Sequence, residues 1–228
     1  MPRRTKHYGN CPYCGEYDKL TKDHVIPECL YTNGVPGNSP KIYACAPCNN
    51  ILKSRLDTYF RDFLILDIEG SEHPTSKQLF PTFARSLSGN QSEFARHARN
   101  AQLMPWFTPE GLFAGFVYGT EIPNHALADG IAMMTRGLYC YYTKQILPRD
   151  IEIQVHRQWD MQKLVPDIQM LFKLGAVYKP AGDGDLFECI YIVPPEKPDA
   201  SLWFLSFLRK VYFSVAINLR PSIAHTAS

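Results

Sequence analysis

Several things are missing from this 228-residue chain, and each absence narrows the reading. No run of about 18 uncharged apolar residues occurs, so a membrane-spanning helix is not expected. The basic start, Met1-Pro2-Arg3-Arg4-Thr5-Lys6, has no apolar run behind it, which is not the pattern of a secretory leader. A soluble, cytoplasmic protein is therefore the expectation. There is no internal repeat. A formal net charge of only +2 carries no charge excess of the kind that announces a nucleic-acid binder. The seven cysteines do not make an even disulfide framework. What remains is 45% apolar and 13% aromatic, enough for a substantial core in one or two domains.

The cysteines are the first positive signal. Cys11-x-x-Cys14 is followed, after thirty residues, by Cys45-x-x-Cys48. Each CxxC sets two thiolates on one tight turn, and four thiolates close a tetrahedral shell around Zn²⁺. A closed shell leaves no position for water, so such a site is structural. In a small unit it replaces core the chain lacks and contributes folding energy. The other three, Cys29, Cys140 and Cys189, are scattered. Cys29 reads as a small buried filler, and Cys140 and Cys189 as core. Up to Arg61 nine basic residues stand against five acidic ones, a mildly basic head that suits phosphate contact.

Residues 9–63 read as one unit. After the first knuckle comes a strand candidate, Leu20 to Ile26, ending at Pro27. A loop rich in Gly, Pro, Asn and Ser runs from Thr32 to Pro40. The piece Ile42-Tyr43-Ala44 leads into the second knuckle. A helix is expected from about Asn49, with Leu52, Leu56, Tyr59, Phe60 and Phe63 on one apolar face and Lys53, Arg55 and Arg61 largely off it. Ser76 to Leu87 and Ser92 to Leu103 read as short helices. Farther on, Leu112–Tyr118, Asp150–His156, Leu186–Val193, Ser201–Leu208 and Val211–Ile217 read as strands. His125–Thr143 and Met161–Leu174 read as helices, the second closed by Gly175. The expected organisation is α+β throughout: a unit over residues 1–66, a connector over 67–105, and a second α+β domain over 106–228. That second domain carries no nucleotide loop, catalytic triad or second metal pattern. Its expected role is target recognition, regulation or oligomerisation, through a second copy or a partner protein.

Inside the thirty-residue insert stands Lys22-Asp23-His24-Val25-Ile26-Pro27, and directly after the last knuckle cysteine come Asn49, Asn50 and then Lys53. The combination CxxC…DHxxP…CxxCN resembles the HNH endonuclease family with its ββα-metal fold. The match covers about a quarter of the chain. The resemblance implies roles residue by residue. Asp23 sits where the family places a ligand to a catalytic Mg²⁺ or Mn²⁺, His24 where it places the general base, and Asn49 where it places the second protein ligand. Asn49 follows the cysteine directly, as the family's ligand does. Asn50 is its rival, because Lys53 lies three residues after it; the one that is not a ligand would cap the helix.

The residues agree with these roles on chemical grounds. Neighbours on an extended segment point to opposite sides, so the carboxylate can hold a hard cation while the imidazole faces a water. A His with pKa near about 6.5 can take a proton from that water at neutral pH. The family's middle residue, an Asn bracing the loop between the two strands, has no counterpart in register here. Pro40 occupies its place, beside Ser39 and Lys41; either Asn38, close but out of register, braces a slightly longer loop, or the bracing is lost.

The implied activity is hydrolysis of phosphodiester bonds in DNA, as nicking or double-strand cleavage, in defence against foreign DNA. The alternatives are RNA as substrate, or a catalytically weak or inactive zinc module that binds nucleic acid. Lys53 and Arg55 are the candidate phosphate contacts. Arg85, Arg96, His97 and Arg99 are weaker ones, read first as solvated helix charge. Tyr139, Tyr141 and Tyr142 are read as packing before base stacking, and His125 and His156 as residues without a partner motif.

Overall fold

The structure is a computed structural model that describes residues 7–67, 73–89, 101–108, 111–120, 124–158, 169, 172–181, 185–197 and 199–218. Three short strands open the chain: β1 (His7–Asn10), β2 (Tyr17–His24) and β3 (Lys41–Cys45), an antiparallel sheet in the order β1-β2-β3. The chain then enters a helix through one π-helical turn, Pro47–Lys53, and continues as α1 (Ser54–Leu66). Helix α2 (Pro74–Gly89) lies on α1, where the buried Ser76 hydroxyl donates to the Leu64 carbonyl. A hairpin of β4 (Ala101–Phe107) and β5 (Phe113–Thr120) precedes the long helix α3 (Asn124–Thr143). The rest is a five-stranded antiparallel sheet built from β6 (Ile153–Gln158), β7 (Val177–Ala181), β8 (Phe187–Ile192), β9 (Ser201–Phe207) and β10 (Val211–Ile217), in the order β6-β10-β9-β8-β7.

Strict alternation decides the inner face of this sheet. Trp203, Leu205 and Phe207 on β9, with Val211, Phe213, Val215 and Ile217 on β10, all turn inward and are buried. Helices α1 and α3 cover that face. Phe60 of α1 meets Phe207 edge-on at 4.6 Å, and Tyr139 of α3 lies 6.5 Å from Trp203. Arg157 of β6 pairs with Asp67 at the end of α1 and lies over the Phe63 ring. The buried side chains form one contiguous cluster running from Cys11 to Ile217. Among the described residues no helix is long and apolar enough to cross a membrane.

The architecture is α+β, as expected. One expectation needs correction. The stretch expected as helix up to Leu103 is strand from Ala101 onward, because β4 pairs with β5 over its whole length; residues 90–100 lie outside the described set. The helix expected over 161–174 also lies mostly outside it, although Gly175 does take the left-handed conformation (φ +93°) that suits a chain reversal.

Candidate active site and thiolate cluster

The two knuckles meet. The sulfurs of Cys11, Cys14, Cys45 and Cys48 all lie within 4.8 Å of one another, and all four are free thiols. Register explains the meeting. β1 and β2 pair from Asn10↔Tyr17 inward, which folds Cys11–Cys14 into the turn between them, and Leu20↔Cys45 brings the end of β3 alongside. Gly15 reaches the left-handed region (φ +80°) to close the first knuckle, and its N–H donates to the Cys11 carbonyl. A tetrahedron with Zn–S of about 2.3 Å has edges of about 3.8 Å; Cys14 and Cys45 are already 3.8 Å apart. The Cys45 N–H points at the Cys11 sulfur, 3.4 Å away. Burial pushes the Cys11 thiol up, but the N–H groups of Cys45, Cys14 and Tyr13 outweigh it and hold the thiol below its ordinary value. These four residues can hold a metal ion such as zinc. Among the described residues no second set of three or more His, Cys, Asp or Glu ligand atoms converges in this way.

Beside the cluster lies a pocket of about 460 Å³. Asp23 and His24, the last two residues of β2, line it from one side; Asn49, Asn50, Lys53 and Asp57 line it from the helix, and Glu28 and Cys29 from the turn after Pro27. The sequence-predicted residues His24, Asp23 and Asn49 thus share one cavity. Asp23 turns inward, with 5% of its surface exposed, and His24 lies at the pocket wall with 20% of its side chain exposed. The Asn49 amide nitrogen donates to Thr21 Oγ1 (3.0 Å) and to the Lys22 carbonyl (3.2 Å), pinning the helix entry to β2. Asn50 is exposed. Neither asparagine caps the helix; helical backbone begins at Pro47, after Ala46, with no side-chain cap.

The partners of these residues are where sequence reasoning fell short. The Tyr13 hydroxyl donates to Asp23 Oδ2. Lys53, expected on the solvated side of the helix, is only 4% exposed; its ammonium sits 2.6 Å from Asp57 and 3.7 Å from Asp23 Oδ1. The π-helical turn is the physical reason. Its wider winding shifts the phase of the first turn, which carries Lys53 inward and leaves Ile51 (73%) and Leu52 (49%) exposed. His24 Nδ1 contacts Glu28 Oε1, one helical turn's spacing along the sequence. Glu28 and Asp57 both stand in plain sight in the sequence; an acidic residue four after the histidine was the available signal.

Electrostatics in the pocket are undercompensated. Burial raises the Asp23 carboxyl above its ordinary value even though Lys53 and the Tyr13 hydroxyl pull it down. Burial likewise raises Asp57 to about 6 against the pull of Lys53. The Tyr13 phenol is driven well above its ordinary value by burial and by the Asp23 charge. Burial lowers the His24 imidazole, with Glu28 opposing, so the ring favours the neutral form at neutral pH. The Pro40 carbonyl accepts the Val25 N–H (3.0 Å), Ser39 is buried against the Tyr31 hydroxyl, and Asn38 is exposed.

The remaining candidates fall elsewhere. Arg55 is exposed on α1, 6.0 Å from the Tyr59 ring. Arg85 is exposed and donates within α2, and Arg96, His97 and Arg99 lie outside the described residues. Cys29 is not buried filler: the residue is exposed as a whole, while its sulfur lies 3.8 Å from the Asp57 carbonyl, where desolvation and then the Asp57 charge raise the thiol to about 11. Cys140 is half-buried beside the core and Cys189 is fully in it. Tyr139 is core, and Tyr142 stacks on Tyr191 and Trp203. His125 and His156 are exposed, away from the pocket. No protein-family model, curated protein or solved structure matches the chain.

Proposed function

We propose that this protein is a metal-dependent endonuclease of the HNH kind that hydrolyses phosphodiester bonds in DNA, with His24 as general base. The observation that carries the reading is the shared pocket: His24, Asp23 and Asn49 come from β2 and from the helix entry that the thiolate cluster ties together, and they face one open, polar cavity.

In this reading the neutral His24 ring accepts a proton from water as the water oxygen bonds to phosphorus. The bond from phosphorus to the 3′-oxygen breaks, that oxygen takes a proton from solvent, and the imidazolium later returns its own proton to solvent. Asp23 and Asn49 would hold Mg²⁺ or Mn²⁺. The donor chemistry fits: a carboxylate and an amide oxygen are hard ligands, and the buried, undercompensated carboxylates of Asp23 and Asp57 favour an added cation. When bound, that ion neutralises the scissile phosphate and the leaving oxygen. The Asn49 amide nitrogen is spent on β2, which leaves its oxygen for the ion. Arg55, exposed on the same helix, would contact the phosphate backbone. Zinc on the four cysteines would fix the strands and helix that carry these groups.

One observation favours a second reading, a zinc-braced module that binds nucleic acid without cutting it: a protein cation, Lys53, already faces Asp23. Full-length protein incubated with supercoiled plasmid and with labelled RNA, each with Mg²⁺ or Mn²⁺, separates the cases. Metal-dependent nicking of the plasmid is expected. Cleavage of RNA alone reassigns the substrate, and binding without cleavage under either metal selects the non-catalytic module.

A further inference from the structure

The pocket holds a group the proposed chemistry has not yet used. Glu28 begins the short turn Glu28–Leu30, and its carboxylate meets the His24 ring at Nδ1. Among the described residues it is the side chain that pairs with this imidazole. The turn is a rigid mount. The Leu30 N–H donates to the Pro27 carbonyl (3.1 Å), the Tyr31 N–H to the Glu28 carbonyl (3.1 Å), and Leu30 is fully buried beneath. On the other flank of His24, the Pro40 carbonyl of the strand-joining loop accepts the Val25 N–H.

We infer that Glu28 is the positioning residue of the site: it fixes the ring of His24 through Nδ1–H and so makes Nε2 the nitrogen that takes the proton. This rests on the nuclease reading and adds to it the residue that orients the base. A ring nitrogen that donates to a carboxylate keeps its proton, which leaves the lone pair on the other nitrogen. As water attacks phosphorus, its O–H bond breaks and the proton goes to Nε2. The ring becomes an imidazolium with Nδ1–H still bonded to Glu28, whose negative charge stabilises it. Glu28 itself gains and loses nothing.

Glu28 is well suited to a clean test, because 60% of its side chain is exposed and no core depends on it. Plasmid nicking is measured with full-length, zinc-loaded wild type, Glu28→Ala, Glu28→Gln and His24→Ala. Glu28→Ala is expected to lower kcat about 100-fold with KM unchanged, and Glu28→Gln, whose amide oxygen still accepts from Nδ1–H, to recover to within about tenfold of wild type. The second readout needs no substrate: ¹⁵N spectra of the His24 ring should show the Nδ1–H tautomer in wild type and Glu28→Gln, and loss of that preference in Glu28→Ala.

A Glu28→Ala protein that cuts as fast as wild type or faster overturns the inference, since the carboxylate would then be idle or an obstacle. An unchanged tautomer in Glu28→Ala overturns it too. The nuclease reading fails separately, if wild type cuts nothing or if His24→Ala cuts as well as wild type.

Discussion

Asp57 shows how far a single residue can depart from what its letter suggests. In the sequence it is one acidic residue on a helix. In the fold it is mostly buried, pairs with Lys53, and shares that one ammonium with Asp23. Burial outweighs the pairing and raises its carboxyl from 3.8 to about 6. The folded state therefore keeps a proton that the unfolded chain releases between these two values, and stability falls as pH rises through that window. A shift of this size corresponds to at most about 3 kcal/mol. Asp57→Asn, which cannot ionise, should gain stability relative to wild type between pH 4 and pH 7. Urea midpoints of the two proteins at both pH values check this, and comparing them at each pH cancels any loss of metal in acid. At this scale the sequence picks out residues that do come together, since Asp23, His24 and Asn49 line one pocket. It does not show their partners. Tyr13, Glu28, Lys53 and Asp57 are placed by packing and by the phase of one turn, and no local pattern encodes either.

Among the elements, α3 is the one whose connection to the site the sequence hides. Gly137 lets this helix approach β2 so closely that a Cβ there would sit 2.8 Å from Val25 Cγ1 and 3.2 Å from the Tyr13 hydroxyl. Val25 follows His24, and Tyr13 holds Asp23. Gly130, two turns earlier, would meet Leu56 only at an ordinary 3.7 Å. The two glycines should thus respond in opposite directions. Gly130→Ala should stabilise the protein by up to about 1 kcal/mol through helix propensity. Gly137→Ala should destabilise it by about 1–3 kcal/mol through overpacking and lower cleavage as well, by displacing the strand that carries His24. Thermal melts of both variants, with nicking rates alongside, test the pair. Periodicity reads the helices and most strands well; α3 and β10 fall close to where alternation and spacing put them. The turn from β9 to β10, with Leu208 and Arg209 at positive φ and no Gly or Asn, is located by the alternation on either side of it. The miss at the helix entry has a physical cause. The π-helical turn breaks the 3.6-residue phase, which is why Leu52 and Lys53 exchange sides.

For the whole molecule, the change in sequence character at Trp106 suggests a boundary, yet the core runs across it. Phe60 packs on Phe207 and lies 6.3 Å from Phe213, so the helix following the thiolate cluster and the C-terminal sheet bury one another. Loss of the cluster should be felt in the sheet. Unfolding followed by Trp203, buried on β9, and by metal release to a chromophoric chelator should give coincident transitions, with one zinc per chain. A sheet that stays folded after the metal has left would contradict the shared core. The role of His24 as general base is tested most directly by the rate of supercoiled plasmid nicking by full-length wild type and His24→Ala under identical Mg²⁺. A loss of at least about 100-fold is expected, with folding and zinc content unchanged. Equal rates in the two proteins would contradict it.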